Sequence, residues 1–325
     1  MLQQTRVVAV LPYYQRFLRR FPNVRALARA RTDEVLRYWA GLGYYRRARH
    51  LKAAAREIVR RHNGFFPEDY EKVLALPGIG RYTAAAILSI AYGQAYAVID
   101  GNVARVLARL ACLDGDIHRV SYRKELEALA AHLLPHGTPG DFNQAMMELG
   151  ATVCVPRRPI CERCPVELFC RARQKGLETL IPGKRRKPER REVHLAVAVA
   201  ESNGKVLLVR ERGGFFSGLW QFPSARSNNG RSLRTALREL LAQCGGRARV
   251  ARSIGEARHS VTHHDLHLHV FRAQLEAPAA VAPTPTRLVS LEHLERLPVS
   301  SATRKIVRLY QQHREELRKT ERDAS

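Results

Sequence analysis

At 325 residues and 36.8 kDa the chain is long enough for two domains, and 45% hydrophobic against 26% charged residues excludes wholesale disorder. Lys and Arg number 55 against 30 Asp and Glu, a net charge of +25 with a pI near 10.6, which disfavours cationic partners and suits nucleic acid or an anionic surface. No apolar run approaches the ~18 residues of a membrane span, and Met1–Leu18 lacks the basic, apolar and small-residue order of an export signal, so a soluble cytoplasmic protein with no membrane partner is expected.

Residues 1–175 predict an all-α domain. Apolar positions recur at three and four residues, as in Val7, Val10, Leu11, Tyr14 and Leu18, or Val103, Val106, Leu107 and Leu110, with Pro and Gly punctuating the segments. Leu76-Pro77-Gly78-Ile79-Gly80 lies between two helical segments, Glu68–Ala75 and Arg81–Tyr92. A bend built on two glycines lets amides at the second helix's N-terminus approach a phosphate, where the helix dipole is also favourable. Asp100-Gly101-Asn102 follows the apolar run Ala95–Ile99. Asp100 reads equally as a helix N-cap and as a carboxylate facing a pocket; the two are compatible, since a capping carboxylate is held rigidly.

Cys154, Cys161, Cys164 and Cys170 fall within a segment carrying Pro156, Pro159 and Pro165. Crowded cysteines in an unexported chain point to a metal centre rather than disulfides. With one C-x2-C pair and otherwise staggered spacing, thiolate-only ligation suits a [4Fe–4S] cluster; zinc, which favours paired knuckles, and unmetallated thiols are the alternatives. The neighbouring Arg157, Arg158, Arg163, Arg171 and Arg173 would present cations to phosphates from a rigid loop.

Residues 176–192 read as a solvated basic linker. Beyond it the period changes to two. Val193–Ala200 and Lys205–Arg210 are strands about a Ser202-Asn203-Gly204 turn, Arg231–Cys244 is helical, Asp265–Leu275 alternates again and Ser301–Lys319 is a basic closing helix, so the second half is α+β. Residues 1–183 hold 28 Lys/Arg against 16 Asp/Glu (+12) and residues 184–325 hold 27 against 14 (+13), so both halves could face one polyanion.

Taken together, the glycine bend, the Asp100-Gly101-Asn102 triplet and the cysteine quartet resemble the helix-hairpin-helix DNA glycosylases. Met1-Leu2-Gln3-Gln4-Thr5, Gly41-Leu42-Gly43-Tyr44-Tyr45 and Phe142-Asn143-Gln144-Ala145 narrow the resemblance to the adenine DNA glycosylase (MutY) family. The resemblance implies a multidomain chain: an all-α helix-hairpin-helix domain over 1–175 with an Fe–S loop at 154–170, the linker at 176–192, and an α+β Nudix-like domain over 193–321. It implies excision of adenine mispaired with 8-oxoguanine or guanine in double-stranded DNA, by a monomer. Asp100 would stabilise the sugar cation, Tyr82 would line the pocket and Gln144 would face adenine. Gln3, Leu42 and Tyr44 would wedge into the duplex and hold the strand open, Asn102 would support Asp100 and the sugar-phosphate, and Gln4, Gly78 and Gly80 would bind DNA.

The stretch Phe216-Ser217-Gly218-Leu219-Trp220-Gln221-Phe222-Pro223 fits the family's lesion-reading domain. Arg238-Glu239 is followed by Leu240, Leu241, Ala242 and Gln243, without the glutamate cluster of a hydrolytic Nudix helix, so this half is expected to bind rather than hydrolyse. His259-Ser260-Val261-Thr262-His263 matches the family's recognition loop: Thr262 and His263 would read the lesion, and Val261 stands where the family has an aromatic. The histidines between 259 and 269 are expected to form a polar surface rather than a metal site.

Two alternatives stand beside this reading. An endonuclease III-like glycosylase with lyase activity needs an amine nucleophile two residues after the second hairpin glycine, and Tyr82 is there instead. A non-catalytic Fe–S DNA-binding protein is the other. In the family pattern a general-acid glutamate precedes the Met-Leu-Gln-Gln-Thr segment by two residues, ahead of the sequence as written, and Glu34, Glu57 and Glu148 do not match it. Such a group is worth roughly 10²–10⁴-fold, so the expectation for the polypeptide as written is weak lesion binding and slow excision or none. A start placed too late, with normal activity in the longer protein, is the competing expectation.

Overall fold

The computed structural model describes residues 1–3, 5, 7–117, 119–183, 189–210, 213–226, 232–244, 248–276, 285–294 and 296–323. In chain order the helices of the first half are α1 (Val7–Arg20), α2 (Val24–Arg29), α3 (Thr32–Trp39), α4 (Arg46–Arg61), α5 (Tyr70–Leu74), α6 (Arg81–Tyr92), α7 (Gly101–Ala111), α8 (Val120–Leu133), α9 (Pro139–Thr152) and α10 (Arg171–Gln174). The second half runs β1 (Arg191–Ser202), β2 (Lys205–Val209), β3 (Ser224–Arg226), α11 (Leu233–Cys244), β4 (Ala248–Val261), β5 (His264–Leu275), β6 (Thr286–Val289), α12 (Leu291–Leu294) and α13 (Ser301–Asp323). The all-α half and the α+β half are therefore those the periodicity predicts, with β3, β4 and β6 added. Among the described residues no helix is long and apolar enough to cross a membrane.

Two compact units divide the chain: Ala53–Lys187, and Met1–Lys52 together with Pro188–Ser325. The sequence places a single break in the basic linker, residues 184–188 of which lie outside the described residues. The structure adds a second break inside α4.

In the unit Ala53–Lys187, α7 is the central helix. Val103, Val106 and Leu107 are at most 2% exposed and pack with Leu126 of α8 and Met146 of α9. The helix begins where the Asp100 side chain caps it and ends at Cys112, which adopts a left-handed φ of 57°. At Gly150 of α9 a Cβ would lie 2.7 Å from Cβ of Asn102, so only glycine lets α9 come this close to the head of α7.

In the other unit the sheet order is β4-β5-β1-β2-β6, with β3 pairing β1; β1 and β5 are parallel and the remaining pairs antiparallel. Alternate residues of β1 serve two cores. Leu195, Val197 and Val199 pack with Trp220, Phe222 and the α13 residues Ile306 and Tyr310, whereas Ala196, Ala198 and Ala200 meet Leu237 and Leu241 of α11. The expected turn between β1 and β2 is present, with Asn203 and Gly204 at φ 49° and 71°.

The first helices attach to this sheet. Arg210, just past β2, donates to both carboxylate oxygens of Asp33 on α3 (3.0 and 2.5 Å) and to the Gly218 carbonyl at 3.0 Å. Tyr45 donates to the Val299 carbonyl at 3.2 Å, and Arg49 donates to that of Ser217.

Candidate functional site

The predicted bend is formed by α5, the Leu76–Gly80 segment and α6. Asp69 caps α5 by accepting from the Lys72 amide at 3.0 Å, and the Ile79 amide closes the turn onto the Leu76 carbonyl at 3.1 Å. Gly78 takes φ +80°, a conformation costly for any residue with a Cβ. Gly80 is the N-cap of α6 with no side-chain cap, and nothing lies within 4 Å of where its Cβ would be. The N-terminus of α6 thus begins at a residue without a side-chain cap, beside open space at Gly80.

Asp100 sits at the head of α7. Its Oδ1 accepts from the amides of Asn102 (2.7 Å) and Val103 (2.8 Å), and its Oδ2 accepts from Asn102 Nδ2 at 3.2 Å. The chain leading to it is pegged from α9 by Asn143, 2% exposed, which accepts from the Val98 amide at 3.1 Å and donates to the Tyr96 carbonyl at 2.9 Å. Tyr82, in the first turn of α6, is 37% exposed and its hydroxyl contacts Met147 Sδ at 3.4 Å. Partial burial and then the Asp100 charge push its pKa above the ordinary phenol value, so it stays neutral at physiological pH. Gln144 lies on α9 one turn before Met147, exposed, with Nε2 donating to the Gly140 carbonyl at 3.3 Å.

Two arginines on α7, absent from the expectations above, connect Asp100 to the cysteines. Arg105 donates to Asn102 Oδ1 (3.0 Å) and to the carbonyls of Gly150 (2.7 Å) and Cys154 (2.8 Å). Arg109, 2% exposed, donates to Cys154 Sγ (3.2 Å) and to the carbonyls of Val155 (2.9 Å), Pro156 (3.1 Å) and Ile181 (2.9 Å). The sequence carried a signal: arginines four apart inside an apolar helical run, where an unpaired charge is not tolerated.

Cys154, Cys161, Cys164 and Cys170 line one cavity together with Arg109. Burial raises the thiol pKa of Cys161 and Cys164, and the neighbouring cysteines raise it further. Four thiols lining one cavity are a donor set that a thiolate-ligated metal group accepts. Arg157, Arg158, Arg163 and Arg171 are exposed. Arg173 differs from expectation: it pairs with Glu167 and Glu178, both at 3.0 Å, and so braces the loop instead of facing outward.

In the other unit Tyr44 is 48% exposed at φ 47°, with the Arg47 guanidinium 5.2 Å from its ring centroid. Arg47 also donates to the carbonyls of Met1 (2.9 Å) and Gln3, tying the exposed Gln3 segment to this turn. Leu42 is 8% exposed and thus is not presented at the surface; Gln4 lies outside the described residues. Thr262 and His263 form the exposed two-residue turn between β4 and β5, Thr262 at φ 49°. Phe216 approaches this hairpin, its ring 5.8 Å from that of His259. On α11, Leu237 and Leu241 face the core.

A family profile described as HhH-GPD superfamily base excision DNA repair protein matches residues 1–132, and a NUDIX domain profile matches residues 195–309. Adenine DNA glycosylase of Mus musculus is 36% identical over 370 residues, covering 98% of this chain and 72% of that protein. Its counterpart of Homo sapiens is 38% identical over 364 residues, covering 96% of this chain and 66% of that protein. Among solved structures, a thermostable thymine-DNA glycosylase shares 31% identity at a TM-score of 0.48, covering 54% of this chain and 80% of that one.

Proposed function

The chain belongs to the adenine DNA glycosylases, base excision repair enzymes that hydrolyse N-glycosyl bonds in DNA, and from that premise we propose that it removes adenine mispaired with 8-oxoguanine or guanine in duplex DNA, acting as a monomer. The observation that carries the reading is the Asp100 carboxylate, fixed by three donors at the head of α7 and within electrostatic reach of Tyr82.

In this reaction adenine leaves the stack, at a cost of a few kcal/mol, and is met by Gln144. As the bond from C1′ to N9 lengthens, positive charge develops on the sugar. A carboxylate already held in place stabilises that charge without reorganising. Water adds to C1′, adenine departs carrying a proton, and the DNA backbone remains intact. Tyr82 supports this monofunctional outcome, because a neutral phenol cannot form the imine on which strand cleavage depends.

The glycine bend at Gly78 and Gly80 and the side chain of Asn102 bind phosphate and sugar. Gln3 and Tyr44 hold the strand open, Gln4 contacts DNA, and Thr262 and His263 read the oxidised guanine. Cys154, Cys161, Cys164 and Cys170 would hold a [4Fe–4S] cluster, which supplies a rigid anchor for the loop bearing Arg157, Arg158, Arg163 and Arg171.

Asp100→Asn tests the reading in a form of the protein whose unsubstituted version measurably releases adenine. Asparagine caps helices about as well as aspartate, so the melting temperature should change little while single-turnover release of adenine from an A:8-oxoguanine duplex falls roughly 10²–10³-fold. Unchanged release would overturn the assignment; loss of both stability and release would reduce Asp100 to a cap.

A further inference from the structure

The parallel pair β1–β5 sets Glu192 opposite Asp265 and His194 opposite His267. On the same face of β1, α11 covers Ala196, Ala198 and Ala200, while Glu192 and His194 continue that face towards the strand's start and are exposed. One ligand atom from each of Glu192, His194 and His267 lies within 4.8 Å of the other two. The rings of His194 and His267 stack with centroids 4.6 Å apart.

The Nδ1 atom of each ring already has a partner. His267 Nδ1 is 2.9 Å from Glu256 Oε1, and an imidazole facing a carboxylate keeps its proton on that nitrogen, leaving a lone pair on Nε2. His194 Nδ1 is 3.0 Å from His269 Nε2, and the tautomer in which His194 Nδ1 donates leaves a lone pair on its Nε2. A carboxylate behind a ligating histidine is the arrangement that orients imidazole for metal and raises its basicity.

We propose that Glu192, His194 and His267 form a zinc site with its fourth position open to water, separate from the cysteine quartet. Two imidazoles and one carboxylate are a donor set zinc accepts. The ion would join the start of β1, where the chain leaves the basic linker, to β5 beside the Thr262–His263 turn, which the Arg191 amide already meets at the His263 carbonyl (2.9 Å). A polar histidine surface without metal is the competing expectation.

The test uses the full chain with its iron content measured and zinc chloride titrated against a chromophoric chelator. One zinc per chain is expected beyond any metal on the cysteines. Glu256→Gln should weaken that uptake ~10–100-fold, and a His194→Gln, His267→Gln double variant should lose it with iron unchanged. Equal uptake by the wild type and the double variant, or none by the wild type, overturns the site. Cobalt(II) added to the wild type gives a readout independent of variant folding. Visible d–d bands without thiolate charge transfer support the site; charge transfer alone, or no bands, overturns it.

Discussion

Tyr310 of α13 is fully buried, and its hydroxyl donates to the Glu201 carboxylate near the end of β1. Burial first, and then that carboxylate, push its pKa from the ordinary 10 up to about 12. Between those values the folded protein keeps a proton that the unfolded chain has lost, so stability falls as pH rises through this window. Below pH ~10 the contribution is complete. Tyr310→Phe should lose about 1–2 kcal/mol of urea stability at pH 7, with its deficit against the wild type shrinking as pH rises from about 10 to 12. A deficit constant across that range would mean the hydroxyl contributes through packing alone. Asp100 shows what a sequence conveys at this scale, because a cap bonds amides two and three positions along the chain. Arg109 shows what it does not: its place in an apolar helical run marks it as paired, but its acceptors lie 45 to 72 residues downstream and only the fold identifies them.

One element, α7, carries Asp100 at its head and turns Arg105 and Arg109 towards the cysteine loop. Arg109 reaches three carbonyls and a sulfur through one planar fork, which a lysine ammonium cannot reproduce. Arg109→Lys should lower stability by roughly 3 kcal/mol, since buried acceptors left unpaired cost about 1–3 kcal/mol each, and it should reduce the iron retained per chain after dialysis. Unaltered iron content and melting temperature would show that the loop holds itself. Strand legibility followed the same division between local and distant causes. β1 declared itself by a dense apolar run between polar turns. β4 did not, because register shifts between Val250, Ser253 and Gly255 break its alternation, and Val250 and Ala257 are its only described buried apolar residues. In α1 the repeat marked a helix but not its covered face: Val10 and Phe17 are buried, while Val7, Leu11, Tyr14 and Leu18 are 43–58% exposed.

Across the whole molecule the excess of positive charge is divided almost equally, +12 over residues 1–183 and +13 over residues 184–325. Affinity for duplex DNA should therefore fall steeply with salt. If roughly six to ten phosphates are neutralised, a loss of about 10³–10⁵-fold is expected between about 50 and 200 mM salt, measured by fluorescence anisotropy on mispaired and matched duplexes alike. A shallow slope would confine the contact to a few cations. Composition also suggests a clean cut at the basic linker, and the three-dimensional division disagrees. Residues 1–52 form one compact unit with residues 188–325. A gene fragment ending at the linker would strip Asp33 of its guanidinium and leave Tyr45 and Arg49 without their carbonyls. Its opening helices would come adrift, and the smallest self-sufficient piece holding them must also include the far end of the polypeptide.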